Sequence, residues 1–136
     1  MTINNRLPFS LLLLRLSVFL VMFMWTIDKL IRPEHAATVY ENFYFISGLG
    51  GVLMYGIATI ELIIIVVGFL LGIQKRLTYG LVLLLHGIST LSSFKQYLAP
   101  FTGPNLLFFA AWPMLAACFA LYYLRDSDTL CSLGKN

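Results

Sequence analysis

The sequence is expected to fold as an all-α protein, an integral membrane four-helix bundle with both termini on the cytoplasmic side. Three observations point there. Hydrophobic residues make up 60% of the 136 and charged residues only 11%, whereas an ordinary soluble domain is about a quarter charged. The apolar residues gather into four runs, each near the ~20 residues that cross about 30 Å of hydrocarbon. The basic residues lie singly or in one pair between those runs, as topology signals do, and form no stripe that could follow nucleic acid.

The first span is placed at 7–31, after a short polar cap that ends at Arg6. Its apolar run carries Arg15 and lacks a small-residue cleavage pattern, so it reads as a retained helix and not as a leader. Pro33 disfavours a helical Arg32, and the charges of Arg32, Glu34 and His35 belong in an interface, so the helix stops there. From Ala36 to Ile46, Tyr40, Phe43, Tyr44 and Phe45 are mixed with Glu41 and Asn42, a pattern suited to a short interfacial helix in the first external connection. The second span is placed at 48–73. A tight basic turn, Gln74-Lys75-Arg76, leads into the third, at 77–97. Pro100, Gly103 and Pro104 break the chain before the fourth, at 105–124. The whole chain, 1–136, is then a single transmembrane domain.

Successive crossings alternate, so Arg6, Lys75, Arg76, Arg125 and Lys135 fall on one side and Lys29, Arg32 and Lys95 on the other. The positive-inside rule makes the first side cytoplasmic and the chain a multi-pass protein of the cell inner membrane.

Ionisable residues within the spans carry the most information, because each costs about 3 kcal/mol or more in hydrocarbon and needs a partner or a purpose. Counted at 1.5 Å per residue, Arg15 lies roughly 13 Å in from Arg6, Glu61 roughly 21 Å in from Lys75 and His86 roughly 15 Å in from Arg76. One slab holds all three, and a buried Arg15–Glu61 pair is the natural inference. Arg15, Met22, Thr26 and Lys29 share a face of the first helix; Met54, Ala58, Glu61, Gly68 and Gly72 share one on the second. Gly68 and Gly72 form a small-xxx-small pair that lets a neighbouring helix approach, so Glu61 faces protein. On the third helix His86, Thr90, Ser93 and Tyr97 make a polar stripe suited to a cavity or a proton path. The bland alternatives carry comparable weight: an ion pair that only sets helix register, a hydrogen-bonded core histidine, and hydroxyls that satisfy their own i−4 carbonyls. Trp25, Tyr40 and Tyr44 read first as interfacial anchors, and Cys131 as a plain tail residue.

No autonomous chemistry is expected. Two histidines at different depths cannot hold a haem, two separated cysteines, Cys118 and Cys131, cannot build a cluster, and no metal site, nucleotide motif or hydrolytic triad is present in the sequence. Any part in electron transfer would require a diffusible quinone or a cofactor on a partner.

Leu14-Arg15-Leu16, Asp28-Lys29-Leu30, Ile60-Glu61-Leu62, then Gly68, Gly72 and Lys75-Arg76 together resemble the DoxX-like family of small four-helix membrane proteins. The likeness spans the first three helices; Thr26 stands where that family usually has glycine. It implies an accessory subunit of a membrane oxidoreductase, with Arg15, Lys29, Glu61 and His86 as a quinone or proton site, joined by Thr90, Ser93 and Tyr97. Its partners would be the lipid bilayer and other membrane subunits or further copies of the chain. Two other readings are a purely structural or assembly subunit and, with less support, a small oligomeric transporter.

Overall fold

The computed structural model describes residues 2–134, and within them the chain is all-helical, with no strand. Lys135, counted above among the cytoplasmic basic residues, lies outside the described residues. Helix α1 (Ile3–Ile31) is followed by α2 (Pro33–Tyr44) and α3 (Gly51–Leu62), which runs straight into a π-helical segment, Ile63–Leu70. Then come α4 (Lys75–Ser92), the short α5 (Phe94–Leu98), a 3-10 segment, Asn105–Ala110, and α6 (Ala111–Tyr123). A 3-10 turn at Arg125–Ser127 opens the C-terminal tail.

Helix boundaries follow local chemistry. Arg32 is non-helical (φ −129°, ψ 67°), and Pro33, which needs no amide donor, begins α2. The expected interfacial segment is thus helical, and it starts at the proline. The second hydrophobic helix begins at Gly51 and not at residue 48, because Gly48 has φ 79° and Gly50 is extended. It ends at Gly72, whose left-handed φ of 67° lets the Ile73 amide donate back to the Gly68 carbonyl at 2.8 Å. Gly72 is therefore a helix terminator. Gly68 is the close-packed one: a Cβ there would collide with the γ-methyl of Thr78 on α4. The third apolar run is broken, with α4 stopping at Ser92 and α5 resuming at Phe94.

The core is drawn from four segments, with Leu11, Val18 and Met22 of α1, Ile65 and Phe69 of the π-helical run, Tyr79 and Val82 of α4, and Cys118 and Leu121 of α6. Outward-facing positions are just as apolar: Leu13, Leu20, Ile60, Ile63, Leu84 and Leu91 are all exposed. In water such a surface would aggregate; in a bilayer it is solvated by lipid. Among the described residues three helices, Ile3–Ile31, Gly51–Leu70 and Asn105–Tyr123, are long and apolar enough to cross a membrane. The chain is a membrane protein by these features.

Candidate functional site

Two separate polar centres occupy opposite ends of the bundle. The buried stripe of α1 is Leu11, Arg15, Val18, Met22 and Thr26, at the spacing of one helical face. It carries Arg15 inward to full burial, where Nη1 donates to the Tyr79 hydroxyl at 3.2 Å and lies 3.5 Å from Oδ2 of Asp128, itself fully buried. Tyr79 Oη donates in turn to Asp128 Oδ2 at 2.6 Å. Arg15 Nη2 donates to the carbonyls of Leu130 and, at 3.3 Å, Cys131. One turn before Tyr79 on α4, the Lys75 ammonium donates to the backbone carbonyls of Asp128 and Arg125. The C-terminal tail is thereby folded into the end of the bundle.

This corrects the expected Arg15–Glu61 pair. Arg15 is held by Asp128, while Glu61 Oε2 accepts from Lys29 Nζ at 2.8 Å and from Thr26 Oγ1 at 3.2 Å. Lys29 is 14 residues beyond Arg15 on the same helix, which puts their backbone positions roughly 21 Å apart along its axis. The depth count failed because it treated Arg6 and Lys75 as marking one plane. Asp128 binds both Lys75 and Arg15, so Arg15 is level with Lys75, and α1 runs on past it. Glu61 still faces protein, as expected from its helix face.

Around the Lys29–Glu61 pair lies a cavity of about 780 Å³ between α1, α2, α3 and α4. Met22, Trp25, Tyr40, Phe43, Phe108 and Leu85 supply apolar wall, and Lys29, Glu61, His86, Ser89 and Ser93 supply the polar points. Lys29 Nζ sits over the Tyr40 ring, 5.9 Å from its centroid. Burial first, then the nearby Glu61 carboxylate, holds the Tyr40 hydroxyl above the usual tyrosine range. At the rim, Asp28 accepts from Arg32 Nε at 2.7 Å and pairs with His35 Nδ1 at 2.7 Å.

His86 is 1% exposed and stacks against Trp25 with ring centroids 6.0 Å apart. Its Nε2 is 3.0 Å from the Ala111 carbonyl, so that nitrogen carries the hydrogen and Nδ1 is left with a lone pair. Nδ1 is buried and has no hydrogen-bond partner among the described residues. The rest of the expected stripe divides. Ser93 lines the cavity, with its hydroxyl donating to the Ser89 carbonyl at 3.3 Å. Thr90 donates to the His86 carbonyl at 2.7 Å, and Tyr97 donates to the Thr90 carbonyl at 2.8 Å while its ring packs on Phe109 and Trp112. Thr90 and Tyr97 therefore serve the backbone and the packing, not the cavity wall. Among the described residues no group of three or more His, Cys, Asp or Glu side chains could hold a metal ion.

The arrangement joins flat aromatic walls to an amine, a carboxylate and an imidazole. It can seat a planar, mostly apolar molecule and offer its polar edge both donors and acceptors. No family model, curated protein or solved structure matches the chain. Sequence reasoning missed Asp128, Tyr79 and Lys75. The positions of Lys75, Tyr79, Val82 and His86 on one helical face were a readable signal for α4. For Asp128, in a short tail after the last helix, there was none.

Proposed function

We propose that this is a DoxX-like, four-helix, multi-pass protein of the cell inner membrane, with both termini cytoplasmic, acting as an accessory subunit of a membrane oxidoreductase and holding a quinone. The observation that carries this reading is the 780 Å³ aromatic cavity lined by the Lys29–Glu61 pair and His86. Its size is that of a small-molecule site, and its few polar groups suit a ring with polar substituents at its edges. In this reading α4 continued by α5 is the third crossing, added to the three long apolar helices.

A bound quinone would accept two electrons, delivered by a partner subunit, together with two protons. Lys29 would donate a hydrogen bond to a carbonyl oxygen. Glu61 would keep Lys29 in place and balance its charge. His86, fully buried, would back the Trp25 side of the cavity wall. Trp25 and Tyr40 would pack against the ring face.

In native membranes, Glu61→Gln is expected to lower quinone-dependent turnover about tenfold, a loss of about 1.4 kcal/mol of interaction, while the complex still co-purifies. Unaltered turnover would remove the quinone role. Dispersal of the complex would favour a second reading, a structural or assembly subunit, which the buried Arg15–Asp128 network supports because it secures the tail and does not line the Lys29–Glu61 cavity.

A further inference from the structure

A second cavity, of about 630 Å³, lies between α1, α6 and the 3-10 segment that precedes α6. Trp25, His86, Ser89, Ser93 and Phe108 line both cavities, so the two spaces meet at a common wall. The first contains the Lys29–Glu61 pair; the second has, among the described residues, no ionisable side chain in its lining other than His86. Its α1 wall is a stripe at helical spacing that includes Ser17 and Val21, and Ser17, Ala110 and Pro113 are exposed, so it opens on the outer flank of the bundle. On a chain with this much apolar exterior, that flank faces lipid.

Resting on the quinone reading, we infer that the ligand is a long-chain isoprenoid quinone whose ring occupies the Lys29–Glu61 cavity and whose tail passes Trp25 and His86 into the α1–α6 groove. The shared wall of the two spaces, with charged groups on one side and an apolar lining on the other, selects this occupant. A ring alone needs only the first cavity, each cavity separately falls within the roughly 300–1,000 Å³ of a small-molecule site, and a two-part molecule with a polar ring and an apolar tail matches the division of polarity between them. The groove also gives such a molecule a route from the bilayer that avoids water. The tail leaves lipid and not water, so its advantage comes from ordered packing on the groove wall, where about ten close atom contacts amount to roughly tenfold in affinity.

The test uses the full chain in lipid nanodiscs. The sequence has two tryptophans, so Trp112→Phe leaves Trp25 as the fluorophore between the cavities. The probes are a benzoquinone without a side chain and one with a long isoprenoid side chain, each titrated by mole fraction in lipid while Trp25 quenching is followed. The long-chain quinone is expected to half-saturate at about tenfold lower mole fraction. Ser17→Phe and Ala110→Leu, made separately on opposite walls of the groove, should each abolish that advantage and leave the side-chain-free quinone unchanged; either variant suffices if the other fails to fold. Equal binding of both quinones to the parent overturns the inference, and so do variants that weaken neither, in which case a bilayer acyl chain fills the groove. Variants that weaken both probes alike also overturn it. Absence of quenching by either probe removes the quinone reading itself, and the tail site with it.

Discussion

Asp128 is the single residue on which the C-terminal arrangement turns. Its carboxylate meets Arg15 and Tyr79 with no solvent exposure, and its carbonyl meets Lys75. Removing one member of a fully buried charge pair leaves the other uncompensated, a loss of about 3–5 kcal/mol. Asp128→Asn is therefore expected to lower the thermal midpoint in detergent far more than Glu61→Gln, because the Lys29 and Glu61 side chains keep 11% and 15% of their surface. A comparison of the two variants by scanning fluorimetry checks this order. Tyr79→Phe should lie between them, at about 1–3 kcal/mol, since it strips a bridging hydroxyl from Arg15 and Asp128. The partner of Glu61 could not be read from the chain, because Arg15 and Lys29 occupy one helical face and face periodicity does not choose between them. Only axial position separates the two.

Among the helices, the tightest approach is that of the π-helical run to α4. Thr78 places its γ-methyl where a side chain at Gly68 would go, while Thr78 Oγ1 donates to the carbonyls of Ile73 and Gln74 at 3.0 and 3.1 Å. Gly68→Ala is expected to destabilise by about 1–3 kcal/mol through overpacking. Thr78→Ser, which retains the hydroxyl and deletes the methyl, should restore part of that loss in the double variant, since the Thr78 Cβ itself lies 2.9 Å from the added Cβ. Equal instability of single and double variants would place the strain elsewhere. At Gly72 the constraint is conformational as well: with φ 67°, any other residue is strained, and a Cβ there would stand 3.0 Å from Arg15 Nη1. Small residues spaced four apart were visible in the sequence, yet one packs helices and the other ends a helix. The difference lies in backbone φ, which composition does not encode.

Taken as one object, the protein is an apolar bundle closed at one end by its own tail and hollow at the other. Helix α1 is 29 residues long, roughly 43 Å, and exceeds the ~30 Å of hydrocarbon, so it tilts or projects. Cys131 is exposed and Cys118 buried, which gives a direct reading of the proposed orientation. A membrane-impermeant maleimide should label Cys131 in inside-out vesicles and not in right-side-out ones, with Cys118 protected in both; the reverse pattern would invert the topology. Truncation after Leu124 should uncover Arg15 and Lys75 together and reduce stability at least as much as Asp128→Asn.

Hydrophobic periodicity sufficed for the helical architecture, for the inward faces of α1 and α3, and for the inward turn of Arg15, Glu61 and His86, because burial of an apolar stripe is a local property repeated every turn. Which charge meets which was decided by the relative heights of the helices and by the path of a polar tail, both consequences of long-range packing. The cavity followed the same rule: its walls come from segments distant in the chain, and the distances between them belong to the folded bundle.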